Sequence, residues 1–173
     1  MLQLRCKSSP GLSLEYARNL VFLGHSFGVP VIINDHVELA FAVGADGVHL
    51  GQDDGSIGAA RARLGPDAII GVSCYASLTK ARTAAAEGAD YLAFGSFFPS
   101  QTKPHAVRAG LEVLQVARGL GKPLVAIGGI LPENGGPLIA AGAQALAVVD
   151  GVFGQADIAN AARAYQHLFE EIL

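Results

Sequence analysis

Three polar side chains alternate along the first apolar segment of the chain. One residue separates Gln3 from Arg5 and Arg5 from Lys7, so an extended strand would point all three to the same side. An arginine binds phosphate through parallel hydrogen bonds, and a lysine adds a compact positive charge. The pattern indicates a clamp for a diphosphate, and a solvated strand end is the alternative interpretation.

Acidic residues follow the next two apolar runs. Asn34 and Asp35 come directly after one run, and Asp54 comes shortly after the next, Gly47–Leu50. If both runs are neighbouring parallel strands, the two carboxylates lie on adjacent loops and can share a cation. Mg²⁺ is commonly held by one or two carboxylates together with phosphate oxygens of the substrate. Two aspartates that cap helices are the alternative.

Hydroxyl groups and a lysine follow two later strands of the pattern. Ser73 ends the run 69–72 and could hydrogen-bond a heterocycle, although a capping serine would look the same. The segment 95–104, Gly-Ser-Phe-Phe-Pro-Ser-Gln-Thr-Lys-Pro, is longer than an ordinary strand-to-helix turn. Long ordered loops at this position often act as lids. Its diphosphate-binding candidates are Ser100, Thr102 and Lys103.

Glycines follow the last two apolar runs. Gly128 and Gly129 end the second-last run, and Val149, Asp150 and Gly151 end the last. Backbone amides can approach an anion closely where glycine removes the side chain, and barrels often hold a phosphate at these two loops. Ordinary turn glycines are the alternative.

The elements that must position these residues alternate regularly. Short runs that are apolar on both faces are followed by longer segments with helical spacing, which is typical of parallel βαβ units. Three similar triplets, Gly44-Ala45-Asp46, Gly88-Ala89-Asp90 and Gly142-Ala143-Gln144, stand before strands and predict helix ends. The predicted strands are Leu2–Arg5, Pro30–Ile33, Gly47–Leu50, Ile69–Val72, Tyr91–Phe94, Leu124–Ile127 and Ala145–Val148. The predicted helices cover residues 12–28, 36–44, 55–64, 76–88, 109–119, 133–142 and 155–172.

Composition narrows the class of protein. A chain of 173 residues with no linker or low-complexity tract predicts one domain over residues 1–173. The formal charge of −3 argues against general binding to nucleic acid or anionic membranes. The two cysteines form no disulfide framework, no apolar run is long enough to span a membrane, and Met1 opens no signal peptide. We therefore expect a cytoplasmic protein.

Seven segments together resemble the thiamine-phosphate synthase family. They occur in the family's order and with matching spacing over nearly the whole chain, although each alone would be weak. The segments are Gln-Leu-Arg-Cys-Lys (3–7), Ile-Ile-Asn-Asp (32–35), Ala-Asp-Gly-Val-His-Leu-Gly-Gln-Asp-Asp (45–54), Gly-Val-Ser (71–73), Gly-Ala-Asp-Tyr (88–91), Pro-Ser-Gln-Thr-Lys (99–103) and Ala-Ile-Gly-Gly-Ile (126–130).

The resemblance implies an α/β fold, a (β/α)₈ TIM barrel. Only seven strands can be identified in the sequence, so the barrel is expected to lack its first βα unit. The implied enzyme is a transferase that joins a hydroxymethylpyrimidine diphosphate to a thiazole phosphate and releases pyrophosphate. Departure of the diphosphate leaves positive charge on the pyrimidine, and the amino group of the ring can delocalise it. A dissociative substitution is therefore the expected mechanism.

Roles also carry over by resemblance. Gln3 and Ser73 would face the pyrimidine, and Asp35 and Asp54 would hold Mg²⁺. Ser100 and Thr102 would line the lid, and backbone amides at Gly129, Val149 and Asp150 would receive the thiazole phosphate. The residues expected to contact the diphosphate are Arg5, Lys7, Asn34 and Lys103, and the expected catalytic residues are Arg5, Lys7, Ser73 and Lys103.

Two positions depart from the family, and two other functions stay open. Ser100 stands where the family often has threonine, and Asp150 where it commonly has serine; a carboxylate beside a phosphate is unfavourable unless it points away or caps a helix. A thiazole tautomerase is one alternative function, although it would not need the diphosphate clamp or Mg²⁺. A non-catalytic barrel that binds phosphate ligands or dimerises through its open edges is the other, and a homo-oligomer is possible in any case.

Overall fold

The computed structural model describes residues 1–5, 14–99 and 108–172, and the side chains of this part except those of residues 171 and 172. Within it strands and helices alternate as predicted. The strands are β1 (Leu2–Leu4), β2 (Val31–Asn34), β3 (Gly47–Leu50), β4 (Ile69–Tyr75), β5 (Tyr91–Gly95), β6 (Leu124–Ile127) and β7 (Ala145–Ala147). The helices are α1 (Leu14–Ser26), α2 (Val37–Val43), α3 (Ile57–Leu64), α4 (Leu78–Ala86), α5 (Glu112–Ala117), α6 (Pro132–Ala140), α7 (Asp150–Phe153) and α8 (Ile158–Ile172).

The chain forms two compact units. Unit 1 consists of Met1–Ser73 with Ala86–Asp90, and unit 2 consists of Cys74–Ala85 with Tyr91–Leu173. The prediction of one domain over residues 1–173 stays a prediction.

In unit 1, strands β1 to β4 pair in parallel and in chain order. Val31 and Ile33 of β2 pack with the buried residues of α1 and α2, such as Ala17 and Ala40. Because neighbouring residues of a strand point to opposite faces, Asn34 projects from the face of the sheet turned away from these helices. The polar side chains of the site are therefore separated from the helix-facing core by the sheet itself.

In unit 2, β5, β6 and β7 also pair in parallel and in chain order. Gly135 lets α6 approach its neighbours closely, because a Cβ atom there would lie 2.9 Å from a methyl of Leu146 in β7 and 3.0 Å from a methyl of Leu168 in α8. Among the described residues, no helix is both long enough and apolar enough to cross a lipid bilayer.

The three repeated triplets end helices and also start strands. Their first residues, Gly44, Gly88 and Gly142, have φ angles of 66°, 95° and 119°, which glycine adopts without steric cost. Their third residues bind the strand just before the triplet. The side-chain oxygens of Asp46, Asp90 and Gln144 accept hydrogen bonds of 2.7, 2.7 and 2.9 Å from backbone amides at the start of these strands: from Val31, the first residue of β2, Ile70, the second of β4, and Leu124, the first of β6.

The predicted last helix, 155–172, corresponds to α8, which begins three residues later, at Ile158. Asp157 caps α8, since its Oδ1 atom accepts a hydrogen bond of 2.9 Å from the Asn160 amide. Before this cap, a separate short helix, α7, begins at Asp150. The sequence predicted neither the start of α8, because the aspartate was not recognised as a cap, nor α7, which lies between the predicted last strand and the predicted last helix.

Candidate active site

A polar row crosses the sheet of unit 1 near the carboxyl ends of its strands. Asn34 in β2 is paired with His49 in β3, and His49 is paired with Gly71 in β4. Both polar side chains are buried, Asn34 with 7% and His49 with 8% of its surface exposed. The Nε2 atom of His49 lies 2.8 Å from the Oγ atom of Ser73, which is two residues beyond Gly71 in β4.

Ser73 lies within β4, which continues to Tyr75, whereas the sequence predicted that the strand ends before it. Its hydroxyl is partly buried, and its distance from the imidazole of His49 is that of a hydrogen bond. The sequence drew attention to Ser73 but assigned no role to His49. His49 shares a face of the sheet with Asn34 because the two residues are paired in neighbouring strands, a register that the sequence does not show.

The turn after β2 positions Asp35. The backbone φ angle of Asp35 is 67°, a left-handed conformation that is unusual for residues other than glycine. Its amide donates a 2.9 Å hydrogen bond to the carbonyl of His49, and the amide of His36 donates one of 2.9 Å to the carbonyl of Asn34. The turn is thus fastened to β3, and the carboxyl group is held at the end of the sheet.

Asp54 meets Asp35 from the loop after β3. One oxygen of Asp54 accepts a 2.7 Å hydrogen bond from the amide of Gly51, which fixes the side chain over its own loop. Partial burial raises the pKa of Asp35 above its ordinary value, and the hydrogen bond and the charge of Asp54 raise it further. The charges of Arg5 and His36 act in the opposite direction. We call Asp35 and Asp54 the carboxylate pair.

The carboxylate pair has the donor set of a divalent cation site. Two adjacent carboxylates repel each other, and a bound cation would remove this repulsion as well as satisfy their oxygens. Within the described residues, no group of three or more histidine, cysteine and acidic side chains could hold a metal. The pair therefore fits a cation that also takes ligands from a substrate or water, as Mg²⁺ commonly does.

Two of the predicted diphosphate-clamp residues are in the described part of unit 1. Gln3 is in β1, where it is paired with Ile32, and Arg5 follows the strand; both side chains are exposed. The effect of Arg5 on Asp35 shows that its charge lies near the carboxylate pair. The other predicted residues of this group and of the lid, Lys7, Ser100, Thr102 and Lys103, lie outside the described residues.

In unit 2 the segment after β6, Gly128–Leu131, forms a tight loop that we call the glycine loop. Gly128 and Gly129 have φ angles of 105° and 62°. A Cβ atom on Gly129 would lie 2.2 Å from the carbonyl oxygen of Pro99, and the amide of Phe98 donates a 3.0 Å hydrogen bond to the carbonyl of Gly128. The loop thus needs glycine both for its conformation and for close packing against the segment after β5.

Asn134 in the first turn of α6 holds the glycine loop at two points. Its Oδ1 atom accepts a 2.8 Å hydrogen bond from the amide of Leu131, and its Nδ2 atom donates one of 3.1 Å to the carbonyl of Gly129. In a planar trans peptide the N–H points opposite to the carbonyl, so the N–H of Ile130 points away from Asn134. Within the described part of the chain, the amides of Gly129 and Ile130 have no hydrogen-bond acceptor. They are available donors for an anion.

The segment after β7 also offers backbone amides. The carbonyl of Val149 accepts hydrogen bonds from the amides of Val152 and Phe153, at 3.0 and 2.8 Å, which begins α7. The side chain of Val149 is 60% exposed, and that of Asp150 is also exposed. Like those of the glycine loop, the amides of Asp150 and Gly151 have no acceptor among the described residues.

Comparison with known proteins identifies the family. The family model for thiamine monophosphate synthase matches residues 1–152. The chain belongs to this family. A thiamine-phosphate synthase from Azoarcus sp. (strain BH72) is 57% identical over 171 residues, which cover 98% of this chain and 83% of that protein. One from Chromobacterium violaceum is 54% identical over 164 residues, which cover 94% of this chain and 79% of that protein.

A solved member of the family supports the fold. The thiamine phosphate pyrophosphorylase from Pyrococcus furiosus superposes with a TM-score of 0.88 at 36% sequence identity, covering 99% of this chain and 83% of that one. This likeness confirms the prediction of a TIM-barrel-type α/β fold. The prediction of seven strands is confirmed within the described residues.

Proposed function

We propose that this member of the thiamine monophosphate synthase family couples a hydroxymethylpyrimidine diphosphate to a thiazole phosphate, giving thiamine phosphate and pyrophosphate. Family membership supports this transferase activity, with relatives more than 50% identical over most of the chain. Among the described residues, the observation that carries the proposal is the carboxylate pair with the charge of Arg5 beside it. A cation held by carboxylates next to an arginine is what a departing diphosphate requires.

The described residues that we assign to the diphosphate are in unit 1. Asp35 and Asp54 would hold Mg²⁺, which when bound neutralises negative charge on the phosphate oxygens. Arg5 would bind the diphosphate directly, and the side-chain NH₂ group of Asn34 would donate a hydrogen bond to it. Lys7 and Lys103 are assigned to the same group from the sequence alone.

The pyrimidine is also assigned to unit 1. The Ser73 hydroxyl would contact the ring, with His49 holding the hydroxyl through the 2.8 Å contact. Gln3 would contact the same ring. These side chains orient the reacting carbon rather than attack it.

The substitution needs no protein nucleophile. The bond between the pyrimidine methylene carbon and the diphosphate oxygen breaks, and its electron pair leaves with pyrophosphate. The positive charge that remains is delocalised into the aminopyrimidine ring. The thiazole nitrogen then donates its lone pair to the methylene carbon, and no proton moves in either step. The chain contributes by binding and orienting both substrates and by stabilising the leaving anion.

The thiazole phosphate is assigned to backbone amides of unit 2. The donors are those of Gly129 and Ile130 in the glycine loop and those of the segment Val149–Gly151. Ser100 and Thr102 would line the lid. We place the enzyme in the cytoplasm, and a homo-oligomer stays a prediction.

The two alternative functions explain fewer of these residues. A thiazole tautomerase would have no use for the carboxylate pair or Arg5, and a non-catalytic phosphate-binding barrel would not need the His49–Ser73 contact. No described feature favours either alternative.

Product analysis tests the proposed function. The purified chain is incubated with the pyrimidine diphosphate, the thiazole phosphate and Mg²⁺, and thiamine phosphate is measured by mass spectrometry. We expect product only when both substrates are present. A second incubation offers an isomer of the thiazole phosphate alone; its rearrangement without the pyrimidine would support the tautomerase instead. Folded protein that forms neither product would contradict both enzymatic functions.

A further inference from the structure

A tyrosine from the last helix reaches the glycine loop. Tyr165 of α8 is 7% exposed, and its hydroxyl donates a 3.0 Å hydrogen bond to the carbonyl of Ile130. The pKa of Tyr165 is raised by burial and by the charge of Glu133. The hydroxyl therefore stays protonated, as a donor, at the pH of any ordinary assay.

The same hydroxyl lies against the segment after β7. A Cβ atom on Gly151 would be 2.0 Å from the Tyr165 hydroxyl oxygen and 3.1 Å from the carbonyl oxygen of Ile130. Any side chain larger than that of glycine would collide with the tyrosine. Gly151 is thus the point where α7, the glycine loop and α8 meet within unit 2.

Tyr165 completes the fixation of the peptide between Ile130 and Leu131. Asn134 accepts the hydrogen bond from the amide of Leu131, and Tyr165 donates one to the carbonyl of Ile130. Both polar ends of this planar group are held, one from α6 and one from α8. The orientation of the preceding amides, those of Gly129 and Ile130, depends on this fixation because they belong to the same loop.

We propose that Tyr165 is a positioning residue for thiazole phosphate binding, setting the backbone of the glycine loop and, through Gly151, that of the segment Val149–Gly151. The proposal rests on the proposed function, since it assigns the phosphate to these amides. Tyr165 acts on the substrate through the backbone and does not touch it. The absence of a side chain at Gly151 is part of the same arrangement.

Replacing the hydroxyl alone tests the proposal. Tyr165→Phe keeps the ring and its packing but removes the hydrogen bond to Ile130. We expect the KM for the thiazole phosphate to rise about three- to tenfold, the size expected for one lost hydrogen bond, while kcat and the KM for the pyrimidine diphosphate stay within about twofold. Tyr16→Phe, at a tyrosine of α1 that is 58% exposed, is the matched control and should change neither constant.

A second pair of variants separates positioning from folding. Gly151→Ala should raise the KM for the thiazole phosphate more than Tyr165→Phe does, because the new methyl displaces the hydroxyl. The double variant Gly151→Ala with Tyr165→Phe should bind better than Gly151→Ala alone, because the 2.0 Å contact with the hydroxyl oxygen is removed and the next contacts of the Cβ atom are 3.1 Å. A lower melting temperature of Tyr165→Phe with unchanged KM values would mean a purely structural role and overturn the proposal, as would equal rises in both KM values.

Direct binding distinguishes failure of this proposal from failure of the proposed function. Calorimetry with the thiazole phosphate and, separately, with inorganic phosphate needs no turnover. If the wild type binds the thiazole phosphate but forms no thiamine phosphate, the proposed function fails, and weaker binding by Tyr165→Phe still supports the positioning role. If the wild type binds neither ligand, or Tyr165→Phe binds as tightly as the wild type, the positioning role is refuted.

Discussion

The Nε2 atom of His49 and the Oγ atom of Ser73 lie 2.8 Å apart, on adjacent strands of one parallel sheet. His49 is paired with Gly71, so Ser73 lies two residues farther along β4. A serine hydroxyl can rotate freely, but a hydrogen bond to a buried imidazole fixes its orientation. Its other donor or acceptor positions then point in a defined direction. We propose that His49 orients the Ser73 hydroxyl for contact with the pyrimidine.

This contact predicts that His49 and Ser73 act as one unit. Ser73→Ala and His49→Ala should each raise the KM for the pyrimidine diphosphate about three- to tenfold and leave the KM for the thiazole phosphate unchanged. The double variant should be no worse than the poorer single variant, because the second substitution removes an interaction already lost. Steady-state kinetics measures both constants. Additive effects would show that the two side chains act separately, and His167→Ala, at an exposed histidine of α8, is the control.

The carboxylate pair predicts opposite effects on activity and on stability. Asp54→Asn should lower Mg²⁺-dependent pyrophosphate release at least about a hundredfold, because the negative charge that attracts the cation is lost. Burial raises the pKa of Asp35, and the charge of Asp54 raises it further. Without metal, the same variant should melt at a slightly higher temperature than the wild type, because it removes that charge.

Thermal unfolding in a chelating buffer, with and without added Mg²⁺, measures the stability effect. Asp53→Asn removes an exposed charge next in sequence and should change neither activity nor melting temperature by much. A lower melting temperature for metal-free Asp54→Asn would contradict the account of the pair.

The glycine loop predicts that space, as well as conformation, is critical at Gly129. Gly129→Ala would place a Cβ atom 2.2 Å from the carbonyl oxygen of Pro99, so the loop must move and binding of the thiazole phosphate should weaken at least about tenfold. Gly121→Ala is a close control, since its φ of 65° resembles the 62° of Gly129 but its Cβ would meet nothing within 4 Å. Both variants lose stability from the strained φ, whereas only the first should lose affinity in calorimetry. Equal affinity for both would refute the assignment.

The triplet residue Asp46 predicts a pH-dependent contribution to stability. Burial acts to raise its pKa, but the hydrogen bonds from Val31 and His25 and the charge of His25 outweigh it, so the pKa lies below the ordinary 3.8. A lowered pKa means that the ionised form stabilises the folded state above the unfolded pKa, and that this stability is lost as pH falls through the folded value.

Asp46→Asn should therefore lower the melting temperature by about 2–5 °C near neutral pH, and the difference should disappear as the pH falls below about 3.8. Gln144 occupies the same place in its own triplet but does not titrate. Gln144→Ala should lower the melting temperature by an amount that hardly depends on pH over this range. A pH-independent loss in Asp46→Asn would contradict the assignment of the effect to the carboxylate.

The order of strands and helices could be predicted from the sequence because apolar runs and glycine-led triplets repeat at short intervals. The positions of Asn34, Asp35 and Asp54 followed from strand ends, and the contact between the two carboxyl groups agrees with the expectation of a shared cation. What could not be predicted are the contacts made at a distance along the chain. The hydrogen bond from Tyr165 to Ile130 joins residues 35 positions apart, and no local pattern distinguishes this tyrosine from any other core residue of an amphipathic helix.

The central claim is tested most directly by pyrophosphate release from the pyrimidine diphosphate, measured with each of the thiazole phosphate and Mg²⁺ present or omitted, for the wild type and for Asp35→Asn. The account predicts release at full rate only when both additions are present, one pyrophosphate per thiamine phosphate formed, and a loss of at least about a hundredfold in Asp35→Asn. Release by folded wild-type protein that is independent of Mg²⁺ or unaffected by Asp35→Asn would contradict it, as would no release at all.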